Sequence, residues 1–301
     1  MTTLPSSDTD SPPVVSTVAD VRKHVSTARS AGRVIGFVPT MGALHAGHIS
    51  LIHAARRRNA FTIVSIYVNP TQFGPNEDLA AYPRTFETDR AACRDAGVEL
   101  IFAPSDPVMY PPGDQTRVSA GPLADTMCGR HRPGHFDGVC TIVAKLFGVV
   151  QPDFAVFGQK DAQQALIIRR MTRDLFLPIE IDVQPIVREP DGLALSSRNA
   201  YLSPVERRQA LCLSRALHAG RVSLLDGAPR DTIVAKMREV VAAELGENMV
   251  DEAIDYLVAV DADSLEPMTD TTNQLLLAGA VRIGRTRLID NLLVDRTADG
   301  R

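Results

Sequence analysis

The sequence predicts an α/β protein: a parallel sheet wound with helices, then a smaller α+β domain. Three observations carry this expectation. Strand-like runs rich in β-branched and aromatic residues alternate with amphipathic stretches through the first two thirds of the chain. A tight turn, "EPDG" at 189–192, then interrupts the pattern. Beyond it the order changes, and helices come first with strands gathered after them.

The strands read in order as "RVIGFV" (33–38), "FTIVSIYV" (61–68), "VELIFA" (98–103), "DFAVFG" (153–158) and "IEIDVQPIV" (179–187). Helical patterns cover 48–58, 84–96, 138–150 and 161–175. Strand–helix alternation of this kind builds right-handed βαβ units and hence a Rossmann-like parallel sheet. Past the turn, Ser203, Pro204 and Glu206 spell a capping box with proline at the first helical position. A further helix spans about 229–245, and strands follow at 254–261, 274–283 and 287–295, which suggests an antiparallel sheet. The domain reading is a disordered lead-in at 1–15, a sheet domain at 16–188, an α+β domain at 189–295 and a loose tail at 296–301.

Composition narrows the function classes. Of 301 residues, 32 are basic and 36 acidic, a net charge of −4 that gives no general reason to bind nucleic acid or a membrane. The N-terminus lacks the basic and apolar regions of a signal peptide, and no apolar run is long enough to span a bilayer. A cytoplasmic protein is expected. Cys93, Cys128, Cys140 and Cys212 match no zinc spacing and read as reduced, buried thiols.

In parallel sheets ligands bind beyond the carboxyl ends of strands, so the loops that follow strands are the candidate site. The first holds Met41, Gly42, Ala43, Leu44, His45, Ala46, Gly47 and His48. Glycines allow close backbone approach, and a helix start offers N–H groups and partial positive charge to a phosphate. His45 and His48, three apart, share one side of the first turn and can face one anion. Ordinary capping or a metal pair are the competing explanations. The second strand ends near Asn69 and Gln72, neutral amides that on their own read as loop hydrogen bonding. Asp89 lies further on and could see magnesium. Arg132 and His135 precede a helix, either as a solvated basic loop or as phosphate contacts. "GQKD" puts Gly158, Gln159, Lys160 and Asp161 where a strand meets a helix, with Gln164 one turn beyond Asp161. Lys160 supplies a point charge for phosphate; a surface Lys–Asp pair is the alternative. Ser196, Ser197 and Arg198 offer hydroxyls and a guanidinium fork that suit pyrophosphate, or a polar linker.

Together, "PTMGALHAGH", "VNPTQF", "RPGHFDGV", "FGQKDAQQ" and "LSSRN" closely resemble the pantoate–β-alanine ligase family. HAGH is similar to the HIGH signature of nucleotidyl-transfer enzymes, and LSSR to their second phosphate loop. The likeness runs from about Val34 to Leu293, with Gln159 standing where the family usually has Glu. It implies an ATP-dependent, AMP-forming condensation of pantoate with β-alanine through pantoyl adenylate, with Mg2+ accompanying ATP and a homodimer as the usual state. It further implies that His48 is the proton donor with His45 its partner. Residues 41–48 would cradle ATP, and Lys160, Ser196, Ser197 and Arg198 would hold phosphates. Gly158 to Asp161, Val187 and Leu195 would contact the nucleotide, and Gln72 and Gln164 would bind pantoate. No protein metal ligand is implied. A different HIGH-type nucleotidylyltransferase, a non-catalytic nucleotide sensor, and metal binding through His45, His48, His131 and His135 are the alternatives.

Overall fold

The structure, a computed structural model, describes residues 11–75 and 77–296. Residues 1–10 of the lead-in expected at 1–15, and 297–301 of the tail expected at 296–301, lie outside the described residues. The chain divides into two compact units. Of the described residues, one comprises 11–75, 77–120, 134–158 and 167–184; the other comprises 121–133, 159–166 and 185–296.

The first unit is a parallel sheet of β1 (Val14–Val15), β2 (Ile35–Thr40), β3 (Phe61–Ile66), β4 (Leu100–Phe102), β5 (Phe154–Gly158) and β6 (Glu180–Gln184), in the order β1-β4-β3-β2-β5-β6. Every pairing is parallel, as the alternation predicts. Strands buried on both faces read as unbroken apolar runs, and Ile35, Phe37 and Val38 are fully buried. Each such side chain contributes about 1.5–3 kcal/mol relative to exposure. Val14 and Val15, which the sequence reading put in the lead-in, instead pair with Ile101 and Phe102 at the sheet edge. Two valines are too short a run for periodicity to register.

From β2 the chain moves out through β3 to β4, then returns to β2's other side with β5 and β6. β2 and β5 are therefore neighbours across the switch point, and their carboxyl ends, Thr40 and Gly158, mark where a ligand crevice forms in open α/β sheets.

The second unit holds an antiparallel sheet of β7 (Ile254–Asp261), β8 (Gln274–Ile283) and β9 (Thr286–Asp295). Side chains alternate between its faces. Leu257, Ala259, Leu275 and Leu277 join a core with helices Leu211–Leu225 and Arg230–Leu245. Val260, Leu276 and Ala278 face the other way and pack with Met127, Leu123, Ala162 and Leu166. That second face explains why 121–133 and 159–166 group with the C-terminal residues, which a single boundary at 188 does not anticipate. The expected capping box is present: Ser203 Oγ accepts from the Glu206 N–H, and Glu206 Oε2 accepts from the Ser203 N–H.

Candidate active site

In the first unit the site is built on the turn after β2. Gly42 and Ala43 both adopt left-handed backbone, φ 83° and 50°. Glycine tolerates this and alanine does not do so freely; left-handed backbone at a non-glycine costs about 1–2 kcal/mol. What holds Ala43 there is Asp89. Its buried carboxylate accepts the Ala43 N–H at 2.9 Å and the Leu44 N–H at 2.8 Å, and Thr85 Oγ1 donates to both oxygens at 3.2 and 3.3 Å. Successive N–H groups in such a turn form an anion nest, and here the protein fills it with its own carboxylate. Asp89, which the sequence suggests could see magnesium, is thus bound to backbone and hydroxyl donors of this turn.

The histidines take up the helix Ala46–Arg57. His45 is its N-cap, with Nδ1 accepting the Gly47 N–H at 3.1 Å. His48 Nδ1 accepts the His45 N–H at 3.3 Å. This is a capping box with imidazoles in place of Ser and Glu. Capping and ligand chemistry, set against each other in the sequence, are compatible. A neutral ring that accepts at Nδ1 carries its proton at Nε2, the atom that can donate. The rings lie 4.2 Å apart between centroids. A Cβ at Gly47 would come within 2.8 Å of the His45 ring, so Gly47 makes room for an imidazole as much as for a ligand. No acidic side chain occupies the helix's first turn, so its positive end is not offset from within.

Gln72 ends a short 3-10 turn, Pro70–Gln72, that Asn69 caps. Its Nε2 donates to Met41 Sδ at 3.1 Å, which joins two predicted site residues. Its Oε1 accepts from Asn69 Nδ2 at 3.1 Å, and Asn69 Oδ1 accepts from Tyr110 Oη at 2.7 Å. Burial pushes the Tyr110 hydroxyl upward in pKa, which keeps it a donor. His135 is also corrected. It is buried, and its Nδ1 donates to the Gln72 carbonyl at 2.8 Å, so it braces the Gln72 turn rather than lying in a solvated loop. Gly138 fits beneath that turn, where a Cβ would sit 2.4 Å from the Thr71 carbonyl oxygen.

The remaining predicted residues lie in the second unit, apart from Gly158, which closes β5. Gln159, Lys160 and Asp161 form a 3-10 turn leading into the helix Ala162–Asp174, on which Gln164 is half-buried. Lys160 is half-buried, and none of the described residues forms a hydrogen bond or ion pair with its ammonium. Asp161 is not its partner, which removes the surface Lys–Asp pair. The residue just before the predicted Gln164, Gln163, is buried. Its Oε1 accepts the Cys128 N–H at 2.9 Å, and its Nε2 donates to the Leu123 and Thr126 carbonyls at 2.8 and 2.9 Å. Val187 and Leu195 meet across the "EPDG" turn, with the Leu195 N–H donating to the Val187 carbonyl at 3.0 Å. Ser196 caps a 3-10 turn over Ser197–Tyr201, its Oγ accepting the Arg198 N–H at 3.3 Å.

A parallel sheet that carries a histidine-capped helix start at its switch-point strand defines an α/β nucleotide-binding protein. Comparison with known proteins narrows this to one family. The pantoate-beta-alanine ligase family matches over residues 13–293, and the chain belongs to that family. It is 52% identical to a pantothenate synthetase of Moorella thermoacetica over 282 residues, 94% of this chain and 98% of the relative. A solved pantothenate synthetase from Thermus thermophilus superposes with a TM-score of 0.86 at 48% identity, covering 93% of this chain and 98% of the other. A pantoate-beta-alanine ligase from Francisella tularensis, solved in complex with Beta-gamma ATP and Beta-alanine, gives 0.74 at 33% identity, covering 94% and 97%.

Proposed function

We infer that the chain condenses pantoate with β-alanine to pantothenate, cleaving ATP to AMP and pyrophosphate through pantoyl adenylate. Membership of the family over residues 13–293 supports the reaction. The observation that carries the site is Lys160: a half-buried cation without a carboxylate partner among the described residues. A cation left in that state is available to a ligand phosphate, which an ammonium meets as a point charge.

Pantoate's carboxylate oxygen attacks the α-phosphorus and pyrophosphate leaves. Lys160 offsets charge building on the phosphates, with Ser196, Ser197 and Arg198 on the leaving group. His48 and His45 donate from Nε2 at the positive end of their helix. Gln72 and Gln164 orient pantoate through neutral amides, which leave the carboxylate nucleophilic. The amine of β-alanine then attacks the acyl carbon and AMP leaves. Nucleotide contacts fall to residues 41–48, to Gly158, Gln159 and Asp161, and to Val187 and Leu195. Magnesium would arrive on the phosphates of ATP. Among the described residues no three His, Cys, Asp or Glu converge to hold a metal, so no protein ligand is assigned and no step is routed through one. The same reading implies a homodimer working in the cytoplasm. No helix among the described residues is long and apolar enough to cross a membrane.

The test is product analysis. Pantothenate, AMP and pyrophosphate should form in equal amounts only when ATP, pantoate and β-alanine are all present. Formation of ADP, or turnover without pantoate, would contradict the assignment.

A further inference from the structure

Lys160's ammonium is left to the ligand, but its backbone is held on both sides, and one residue outside the recognised motifs holds it. Asn291, on β9, is 2% exposed. Its Nδ2 donates to the Gln159 carbonyl and to the Lys160 carbonyl, both at 3.0 Å. Its Oδ1 accepts from Gln159 Nε2 at 3.2 Å. The orientation of the carboxamide follows from its partners, because two carbonyl oxygens can only accept. Both amide hydrogens are therefore spent on two consecutive peptide units, those on either side of Lys160. Fixing both peptide planes fixes the Cα–Cβ direction of the residue between them.

The neighbouring residue works on a second ligand-bearing segment. Asp290, also buried, takes both arms of Arg188 at 2.7 and 2.8 Å, and Arg188 donates onward to the Gly192 carbonyl at 2.9 Å. Arg188 follows Val187 and opens the hairpin that pairs Val187 with Leu195. Among the described residues β9 is an edge strand, and its Asn291 carbonyl accepts from Arg188 at 3.3 Å.

We propose that Asn291 is a positioning residue for the adenylation step, acting through the Gln159–Lys160 backbone to aim the Lys160 ammonium at the phosphates. The proposal rests on the role given to Lys160 above. Preorganised charge stabilises a transition state because it needs no reorientation during reaction, and misplacement by about 1 Å costs about 10²-fold. An untethered Lys160 backbone lets the long side chain sample other directions. Asn291 touches no substrate in this account. Its effect should therefore vanish once the ammonium is gone.

The experiment is a double-mutant cycle on full-length protein, reading single-turnover pantoate-dependent pyrophosphate release in Asn291→Leu, Lys160→Ala and the double variant. Asn291→Leu keeps the side chain's approximate size and removes all three hydrogen bonds. Alone it should slow the step at least about tenfold, with a smaller change in KM for ATP. In the Lys160→Ala background the same substitution should slow it less than about twofold, because positioning no longer matters. Equal factors in both backgrounds would mean a merely structural role and would overturn the proposal. A Lys160→Ala variant of wild-type rate would instead overturn the role given to Lys160, so the two failures are distinct. Should Asn291→Leu not fold by circular dichroism, Asn291→Ser, which keeps one donor, enters the same cycle with the same criterion.

Discussion

Asp89→Asn is the sharpest perturbation of the turn that carries the histidines. The carboxylate accepts two backbone N–H groups, from Ala43 at 2.9 Å and Leu44 at 2.8 Å. The carboxamide is the same shape but has one acceptor, so one of the two N–H groups must face an NH2. A hydrogen bond to a charged group contributes about 1.5–3 kcal/mol, and the surviving bond to a neutral oxygen is worth roughly half as much. The summed loss is about 3 kcal/mol, most of it local because the turn can open without unfolding the sheet. About 3 kcal/mol is a factor of about 10² in the opening equilibrium. Native-state amide hydrogen exchange reads this directly. Peptides containing Ala43 and Leu44 should exchange about 10²-fold faster in Asp89→Asn, while those from β2 and β3 stay protected. Pantoate-dependent pyrophosphate release should slow in parallel. Unchanged exchange at 43–44, with a wild-type rate, would refute the claim that Asp89 holds this turn.

Lys160→Ala and His48→Ala should each lower the single-turnover adenylation rate by about 10²-fold or more, the range of losing electrostatic or proton-donor help. Gly138→Ala should push the Thr71–Gln72 backbone, since its Cβ would lie 2.4 Å from the Thr71 oxygen. We expect a raised KM for pantoate and about 1–3 kcal/mol of lost stability, read by steady-state kinetics and denaturation; wild-type values for both would count against the packing argument. Burial pushes the Cys93, Cys140 and Cys212 thiols up to about 12. In the folded protein at pH 8 these three should resist an aromatic disulfide reagent and react only on unfolding. The folded state keeps these protons longer than the unfolded state, so their contribution to stability declines as pH rises from the unfolded thiol value near 8.5 towards 12. A denaturation midpoint that climbs between pH 8 and 10 would contradict this sign.

Much of the fold was legible because its signals are local. β7 and β8 fall where their apolar runs lie, and the helix Arg230–Leu245, expected at about 229–245, and the capping box at Ser203 follow from propensity and spacing. Less legible was anything set by contacts distant in sequence. Residues 121–133 and 159–166 join the second unit because one face of a small sheet needs covering, and no local pattern records that. The site divides in the same way. His45, His48, Gln72 and Lys160 stand out by type and by motif. Asp89 and Asn291 act across 45 and 131 residues of chain, on Leu44 and Lys160 respectively, through backbone groups that carry no sequence signature. His135 was visible as a residue but not as a brace, since its partner is a carbonyl 63 residues away.

The central claim is that a carboxylate oxygen of pantoate attacks the α-phosphorus of ATP. Pantoate labelled with 18O in both carboxylate oxygens tests it in one turnover with β-alanine. One label should appear in the phosphate of AMP and the other in the amide carbonyl of pantothenate, because the oxygen bridging carbon and phosphorus leaves with AMP. Unlabelled AMP, or label in inorganic phosphate beside ADP, would contradict it.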